Sequence, residues 1–274
     1  MRNFLLTLEY DGTSFHGWQK QPGRRTAQGA LESALSHVCR AEIAVDAVSR
    51  TDAGVHAYGQ RAGFRTDSPI PPDRLVIAAN NILCSGRALA GKAGDIRVRA
   101  AEPVPDGFHA RFDAVGKKYI YKILSSPSPD IFLRDRYWQT QEAPEPGLMA
   151  AAAEHIKGTH DFKSFQSAGG NVRATTVRTV HGLEIYRWDT GAGMATAIEV
   201  TGDGFLYNMV RIIAGTLYLA GIGKIGPDSV KCILESGERK NAGCTAPPQG
   251  LYLAEVYYSE AEMAMAAARH FVRQ

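Results

Sequence analysis

Apolar and polar positions along this chain keep two different periods, and the switches between them outline two runs of elements. Phe4, Leu6, Leu8 and Tyr10 share one face of a strand that ends at the Asp11-Gly12 turn. Leu31, Leu35 and Val38 recur at helical spacing within residues 28–40. Residues 43–48 alternate weakly and carry β-branched Ile43, Val45 and Val48, so they read as a strand, with another around residues 60–65. Pro71-Pro72-Asp73 opens a second helix through Leu75, Ala78, Ala79 and Leu83, because proline suits the first helical turn. Ile96, Val98 and Ala100 then alternate in a strand over residues 95–101. The order is βαββαβ, a ferredoxin-like arrangement.

The rest of the chain repeats that order loosely. Strands are expected at residues 117–124, 177–188, 194–201 and 251–258, with short helices at 148–156 and 228–234. A long apolar helix is expected from about Phe205 to Ala220, and a helical tail from Glu260. The expected fold class is therefore α+β: two ferredoxin-like halves packed side by side with a central catalytic cleft. The boundaries fall at 1–105 and 106–274, with residues 101–108 as the join. No linker rich in Pro, Gly or Ser separates the halves, which favours extensive packing over loose tethering.

Composition narrows the function classes. At 274 residues, with 45% hydrophobic and 22% charged residues, the chain matches a folded, water-exposed protein. Its 31 basic against 28 acidic side chains leave a formal charge of +3, which permits a nucleic-acid partner only if the cations are segregated. Cys39, Cys84, Cys232 and Cys244 form neither a CxxC pair nor a Cys/His ligand spacing, as expected of idle thiols in a reducing compartment. Acidic Glu9 and Asp11 come too early for a signal-peptide core, and no apolar stretch has the length of a membrane helix. A cytoplasmic protein without membrane attachment is expected.

Three motif look-alikes fail on context. Gly86-Arg87-Ala88-Leu89-Ala90-Gly91-Lys92-Ala93 approaches a P-loop, but Ala93 stands where a magnesium-binding hydroxyl is needed and the segment follows a helix. Gly221-Ile222-Gly223-Lys224-Ile225-Gly226 spells GxGxxG, yet it trails a helix and meets Pro227, so its glycines read as a helix end and a turn. His155 and His160 near Asp161 offer too few ligands for a metal.

The segment Arg50-Thr51-Asp52-Ala53-Gly54-Val55-His56 has more to offer. It puts one carboxylate between a cation, a hydroxyl and a glycine on the loop leaving an apolar run, where a rigid scaffold can present a reactive group. Taken alone it also fits a plain turn, since Asp bonds local backbone and Gly supplies positive φ. Tyr10-Asp11-Gly12 through Trp18-Gln19 forms a loop with exposed-looking aromatics. Lys117-Lys118-Tyr119-Ile120-Tyr121 places Tyr119 and Tyr121 on one strand face and Lys118 and Ile120 on the other. Arg211 falls inside an apolar helix, where it must either snorkel or pair with a buried acid.

These segments together resemble the tRNA pseudouridine synthase A family. The resemblance rests on the Asp52 motif, Tyr10-Asp11-Gly12 with Gly17-Trp18-Gln19, His109-Ala110-Arg111-Phe112, and Asp161-Phe162 with Ser164-Phe165. Asn208-Met209-Val210-Arg211 and Gly250-Leu251-Tyr252-Leu253 complete it, in the family's order from Phe4 to Tyr258. It implies a homodimer of two-domain α+β subunits. These would convert uridines at positions 38, 39 and 40 of the tRNA anticodon stem-loop to pseudouridine, with no cofactor and no metal.

Residue by residue, the resemblance makes Asp52 the catalytic nucleophile, a role suited to a side chain normally ionised above ~4. Arg211 becomes its basic partner. Tyr119 becomes the tyrosine that stacks on the target base and a candidate for proton transfer. Arg50 would fill the gap left by a flipped nucleotide, and Leu251 would form an apolar wall; phosphate contact and core packing are the competing explanations for those two. Ser49 departs from the glycine usual before Arg50, and residues 81–95 form a longer loop carrying Arg87 and Lys92, expected near the RNA path. The alternatives are a non-catalytic RNA-binding protein of the same fold and an enzyme acting on a small nucleoside or phosphate.

Overall fold

The computed structural model describes residues 1–84, 94–169 and 174–270 as a mixed α+β chain that divides into two units. The P-loop look-alike and the Arg87/Lys92 part of the longer loop lie outside the described residues. The first unit is Met1–Val115 with Leu253–Tyr258, and the second is Gly116–Tyr252 with Ser259–Gln274.

In the first unit, β1 (Arg2–Tyr10), α1 (Ala27–Cys39), β2 (Asp46–Ala47), β3 (His56–Thr66), α2 (Pro72–Leu83) and β4 (Ile96–Val104) follow in order. Strand β1 is central, antiparallel to both β3 and β4, and the two-residue β2 hangs on β3. The alternation of β1 does bury Phe4, Leu6, Leu8 and Tyr10. Leu5 is buried as well, on the opposite face, in a second cluster with Val48 and Ala110. Helix α1 starts where Thr26 Oγ1 accepts from Gly29 N at 3.2 Å and stops at Arg40, which takes a left-handed φ of 54°. Its Leu31 and Leu35, with Leu75 and Ala79 of α2, are sealed from water.

The strand expected over residues 43–48 is reduced to β2. Ile43, Val45 and Val48 are nonetheless buried, so the alternation reported burial and not sheet pairing. The backbone there is satisfied largely by helix side chains: Ile43 N donates to Ser36 Oγ (2.9 Å) and Val45 N to Glu32 Oε1 (3.2 Å). Gln28 Nε2 donates to Val45 O at 3.2 Å, and the segment reaches β3 through the short β2 and through Val48 N, which donates to Arg61 O (2.9 Å). An extended segment can be buried in this way without a ladder, provided every polar group finds some partner.

The second unit holds β5 (Gly116–Ser125), β6 (Trp138–Thr140), α3 (Pro146–Glu154), β7 (Gly158–Asp161), β8 (Val177–Asp189) and β9 (Met194–Gly202). After them come α4 (Met209–Gly221), α5 (Ser229–Ser236), β10 (Leu251–Tyr257, whose last five residues belong to the first unit) and α6 (Glu260–Ala267). The sheet runs β5-β9-β8-β7, antiparallel throughout, with the short β6 parallel to β5. Neither β6 nor β7 was expected, because three or four residues are too few to show a period. Helix α4 is apolar almost all round, as a buried helix must be: Ile212, Ile213, Ala214, Leu217 and Ala220 are fully covered. It begins four residues later than its apolar run, because Asn208 adopts a left-handed φ of 62°.

Among the described residues no helix is long and apolar enough to cross a membrane. No group of three or more His, Cys, Asp or Glu side chains among them could hold a metal ion.

Candidate active site

The loop carrying Asp52 is short and clamped on both sides. Gln60, fully buried on β3, receives a hydrogen bond from Ser49 N (3.3 Å) and donates to Ser49 O (2.7 Å), so its amide pairs with the loop as a neighbouring strand would. Tyr10 at the end of β1 bonds Thr51 Oγ1 through its hydroxyl at 2.7 Å, and Gln60 Nε2 donates to that same hydroxyl at 3.4 Å. Val55 N closes a turn onto Asp52 O at 3.2 Å, with Gly54 at φ 80°. Asp52 is partly exposed between these fixed points, while Arg50 is exposed.

A second loop braces the first. Trp18 N donates to Thr51 O at 2.9 Å. The approach needs Gly17, which has φ 80° and whose missing Cβ would lie 2.8 Å from Thr51 O. Gly12 N donates to His56 Nδ1 at 3.1 Å, tying the same loop to the start of β3. The aromatics of this loop are not exposed as the sequence suggested. Phe15 and Trp18 are 3% and 2% exposed and pack on the Tyr10 ring, at 6.4 and 6.0 Å between centroids, so they support the Asp52 loop and offer no free surface.

Tyr119, Arg211 and Leu251 belong to the second unit. Tyr119 pairs with Val200 of β9, is half-buried, and meets Phe205 edge-on at 5.2 Å. Arg211 sits in the first turn of α4 and not in its interior, which changes the choice posed by the sequence. Its Nε donates to Ala246 O (2.7 Å) and its Nη1 to Asn208 Oδ1 (2.9 Å), while Asn208 Nδ2 donates to Ser167 Oγ (3.1 Å). A cation in a first turn opposes the helix dipole, so these acceptors hold it against a mild electrostatic cost. Ala246 is fixed in turn by Ala246 N donating to Arg211 O at 3.2 Å. Leu251 is 7% exposed at the start of β10. Two residues along β5 from Tyr119, burial drives the Tyr121 phenol well above its ordinary range, with Arg211 pulling the other way, and its hydroxyl donates to Pro247 O at 2.7 Å.

Several residues that shape these loops were not singled out from the sequence. Gln60 had a legible signal: it is the one amide among Tyr58, Ala62 and Phe64 on the buried face of β3. Asn208 belongs to the Asn208-Met209-Val210-Arg211 motif, which does not show its left-handed cap, and Ala246 had no signal, since a carbonyl that meets Arg211 from 35 residues away follows only from tertiary packing.

Residues 7–113 and 152–259 match the family model described as tRNA pseudouridine synthase. The chain belongs to the tRNA pseudouridine synthase family. A protein of Ruminiclostridium cellulolyticum named tRNA pseudouridine synthase A is 46% identical over 258 residues, covering 94% of this chain and 100% of that protein. One of Bacillus subtilis with the same name is 47% identical over 255 residues, covering 92% and 97%. A third, from Acetivibrio thermocellus, is 45% identical over 258 residues. Arg50, Asp52, Arg211 and Leu251 fall within the segments matched to the tRNA pseudouridine synthase model, and Tyr119 falls between them.

Proposed function

We propose that this chain isomerises uridine to pseudouridine in the anticodon stem-loop of tRNA, at positions 38, 39 and 40, with Asp52 as the nucleophile. The observation that carries the reading is the Asp52 loop itself: a partly exposed carboxylate that directly follows a stretch, Ser49 to Thr51, held in place by buried Gln60 and Tyr10. The names borne by the relatives supply the substrate class. Each unit is read as a ferredoxin-like half, and the active form as a cytoplasmic homodimer needing neither cofactor nor metal.

The chemistry conserves every atom of the nucleoside. Asp52 adds to the flipped uridine, at ribose C1′ or uracil C6, and the C1′–N1 bond breaks. The uracil turns, C5 bonds to C1′, the bond between Asp52 and the nucleoside breaks to return the free carboxylate, the C5 proton leaves and N1 takes up a proton. Arg211 supplies the countercharge that keeps Asp52 ionised beside an apolar base. Tyr119 offers its ring to a base that has lost its stacking neighbours and is the candidate acceptor of the C5 proton. Arg50 occupies the vacated stack and Leu251 walls the pocket. Flipping costs a few kcal/mol, offset by these contacts.

Tritium release from tRNA labelled at uridine C5 tests the reading directly. Wild type should release tritium, while Asp52→Asn should release none and still bind tRNA. A wild-type protein that binds tRNA and releases nothing is a binding module, and the proposal is then wrong. Mapping pseudouridine in tRNA from cells with and without the protein tests the three positions.

A further inference from the structure

We infer that Gln60, Tyr10 and Thr51 form a buried hydrogen-bond chain that positions the Asp52 loop for reaction, making Gln60 and Tyr10 positioning residues. The inference rests on the proposed role of Asp52 and deepens it.

Donor and acceptor capacity matches the partners at each link. The Gln60 amide has two N–H groups and one carbonyl oxygen. Its oxygen receives Ser49 N, one N–H goes to Ser49 O, and the other reaches the Tyr10 hydroxyl oxygen. The Tyr10 hydroxyl and Thr51 Oγ1 stand 2.7 Å apart, and either can donate to the other. An Asn or Asp at residue 60 would be a methylene shorter, and a hydrophobic residue would strand both backbone groups of Ser49.

Burial makes the chain stiff. Gln60 is 0% exposed, Tyr10 5%, Ser49 5% and Thr51 8%, so water has little access to compete for any of these bonds. Tyr10 is wedged between Phe15 and Trp18, which stops its ring from swinging to another acceptor. Asp52 therefore stands next to one anchored residue and three from another. A displacement of about 1 Å at a reacting group can cost ~100-fold in rate, so fixing this backbone has direct consequences for turnover.

The experiment measures single-turnover tritium release and tRNA affinity for Tyr10→Phe, Gln60→Leu, Thr51→Val, Thr51→Ser and Asp52→Asn. Tyr10→Phe and Gln60→Leu should slow release ~10- to 100-fold while tRNA Kd stays within about twofold. Thr51→Val should lose a similar factor, and Thr51→Ser, which keeps the hydroxyl, should recover most of it. If Gln60→Leu does not fold, Tyr10→Phe and the Thr51 pair decide. Wild-type release by Tyr10→Phe, or equal release by Thr51→Val and Thr51→Ser, overturns the inference. If that happens while Asp52→Asn is inactive, the nucleophile stands and only the positioning chain falls. Normal release by Asp52→Asn removes the nucleophile and this inference with it.

Discussion

The Lys118 ammonium lies 3.3 Å from the Glu199 carboxylate, with the two side chains 2% and 3% exposed. The sequence put Lys118 on the strand face opposite Tyr119, and that face is covered. Lys118 Nζ also donates to Arg269 O (2.8 Å), and His270 Nδ1 stands 2.8 Å from Glu199 Oε1 with the Tyr186 ring packed at a tilt against its own. The pair thus ties the end of the chain to β5 and β9. Lys118→Met leaves Glu199 buried without its ammonium partner and should cost about 3–5 kcal/mol of unfolding free energy. Lys118→Met combined with Glu199→Leu should cost less than that single change. Urea denaturation of both variants checks the order, and a double variant weaker than Lys118→Met alone would refute it.

Ser49 is a buried hydroxyl without a reason to be there. Its Oγ has no hydrogen-bond partner among the described residues, and its backbone does not need a glycine, since Arg40 and Asn208 alone combine a side chain with positive φ among them. Removing an unsatisfied buried hydroxyl should stabilise, so Ser49→Ala is expected to gain about 1 kcal/mol. Thermal unfolding gives the answer: a lower midpoint shows that the hydroxyl is satisfied in solution.

The loop that holds Arg211 depends on the closeness of two backbones. A Cβ on Gly243 would lie 2.6 Å from Thr216 N and 2.7 Å from Gly215 C, where the loop crosses α4. Gly243 N donates to Thr216 Oγ1 (2.9 Å), and Arg239 clamps the loop from outside through Gly243 O (2.9 Å) and Thr245 Oγ1 (3.0 Å). Gly243→Ala should therefore cost about 1–3 kcal/mol through forced separation. Arg239→Met should cost less and should lower activity more than tRNA binding, through the Ala246 carbonyl. Equal losses of activity and binding in Arg239→Met would count against that route.

Alkaline pH should weaken the first unit through Tyr258. Burial pushes its phenol up to about 12, against the pull of Arg61, and its hydroxyl donates to Ala110 O at 3.0 Å. An unfolded tyrosine titrates near ~10. Below that both states are neutral and the contribution is intact. Between about 10 and about 12 the unfolded chain gives up its proton first, so stability falls as pH rises. Tyr258→Phe should be less stable at neutral pH but should lose less between pH 9 and 11.5. Parallel melting curves for the two proteins across that range would contradict the assignment.

Local order was legible wherever a period ran long enough. Strand β1, helices α1 and α2, and strands β5, β8 and β9 stand where alternation or helical spacing placed them, to within a few residues. The segment over residues 43–48 shows where that logic stops, because its apolar positions are buried while its backbone bonds to α1 side chains. Period measures which side faces the core, and partners are chosen by whatever else lies within reach.

The sequence by itself determined the residue types of the candidate site and the family they resemble, because those depend on short motifs in a fixed order. It also placed Asp52 on a loop, since a turn tetrapeptide carries its own backbone preferences. Only the tertiary structure decided that Gln60 and Tyr10 grip that loop, that Phe15 and Trp18 are buried, and that Arg211 opens a helix against a distant carbonyl. Hydrogen bonds between residues 35 or 50 positions apart leave no period to read. They exist because folding removes water from polar groups and forces each to find a partner in the chain.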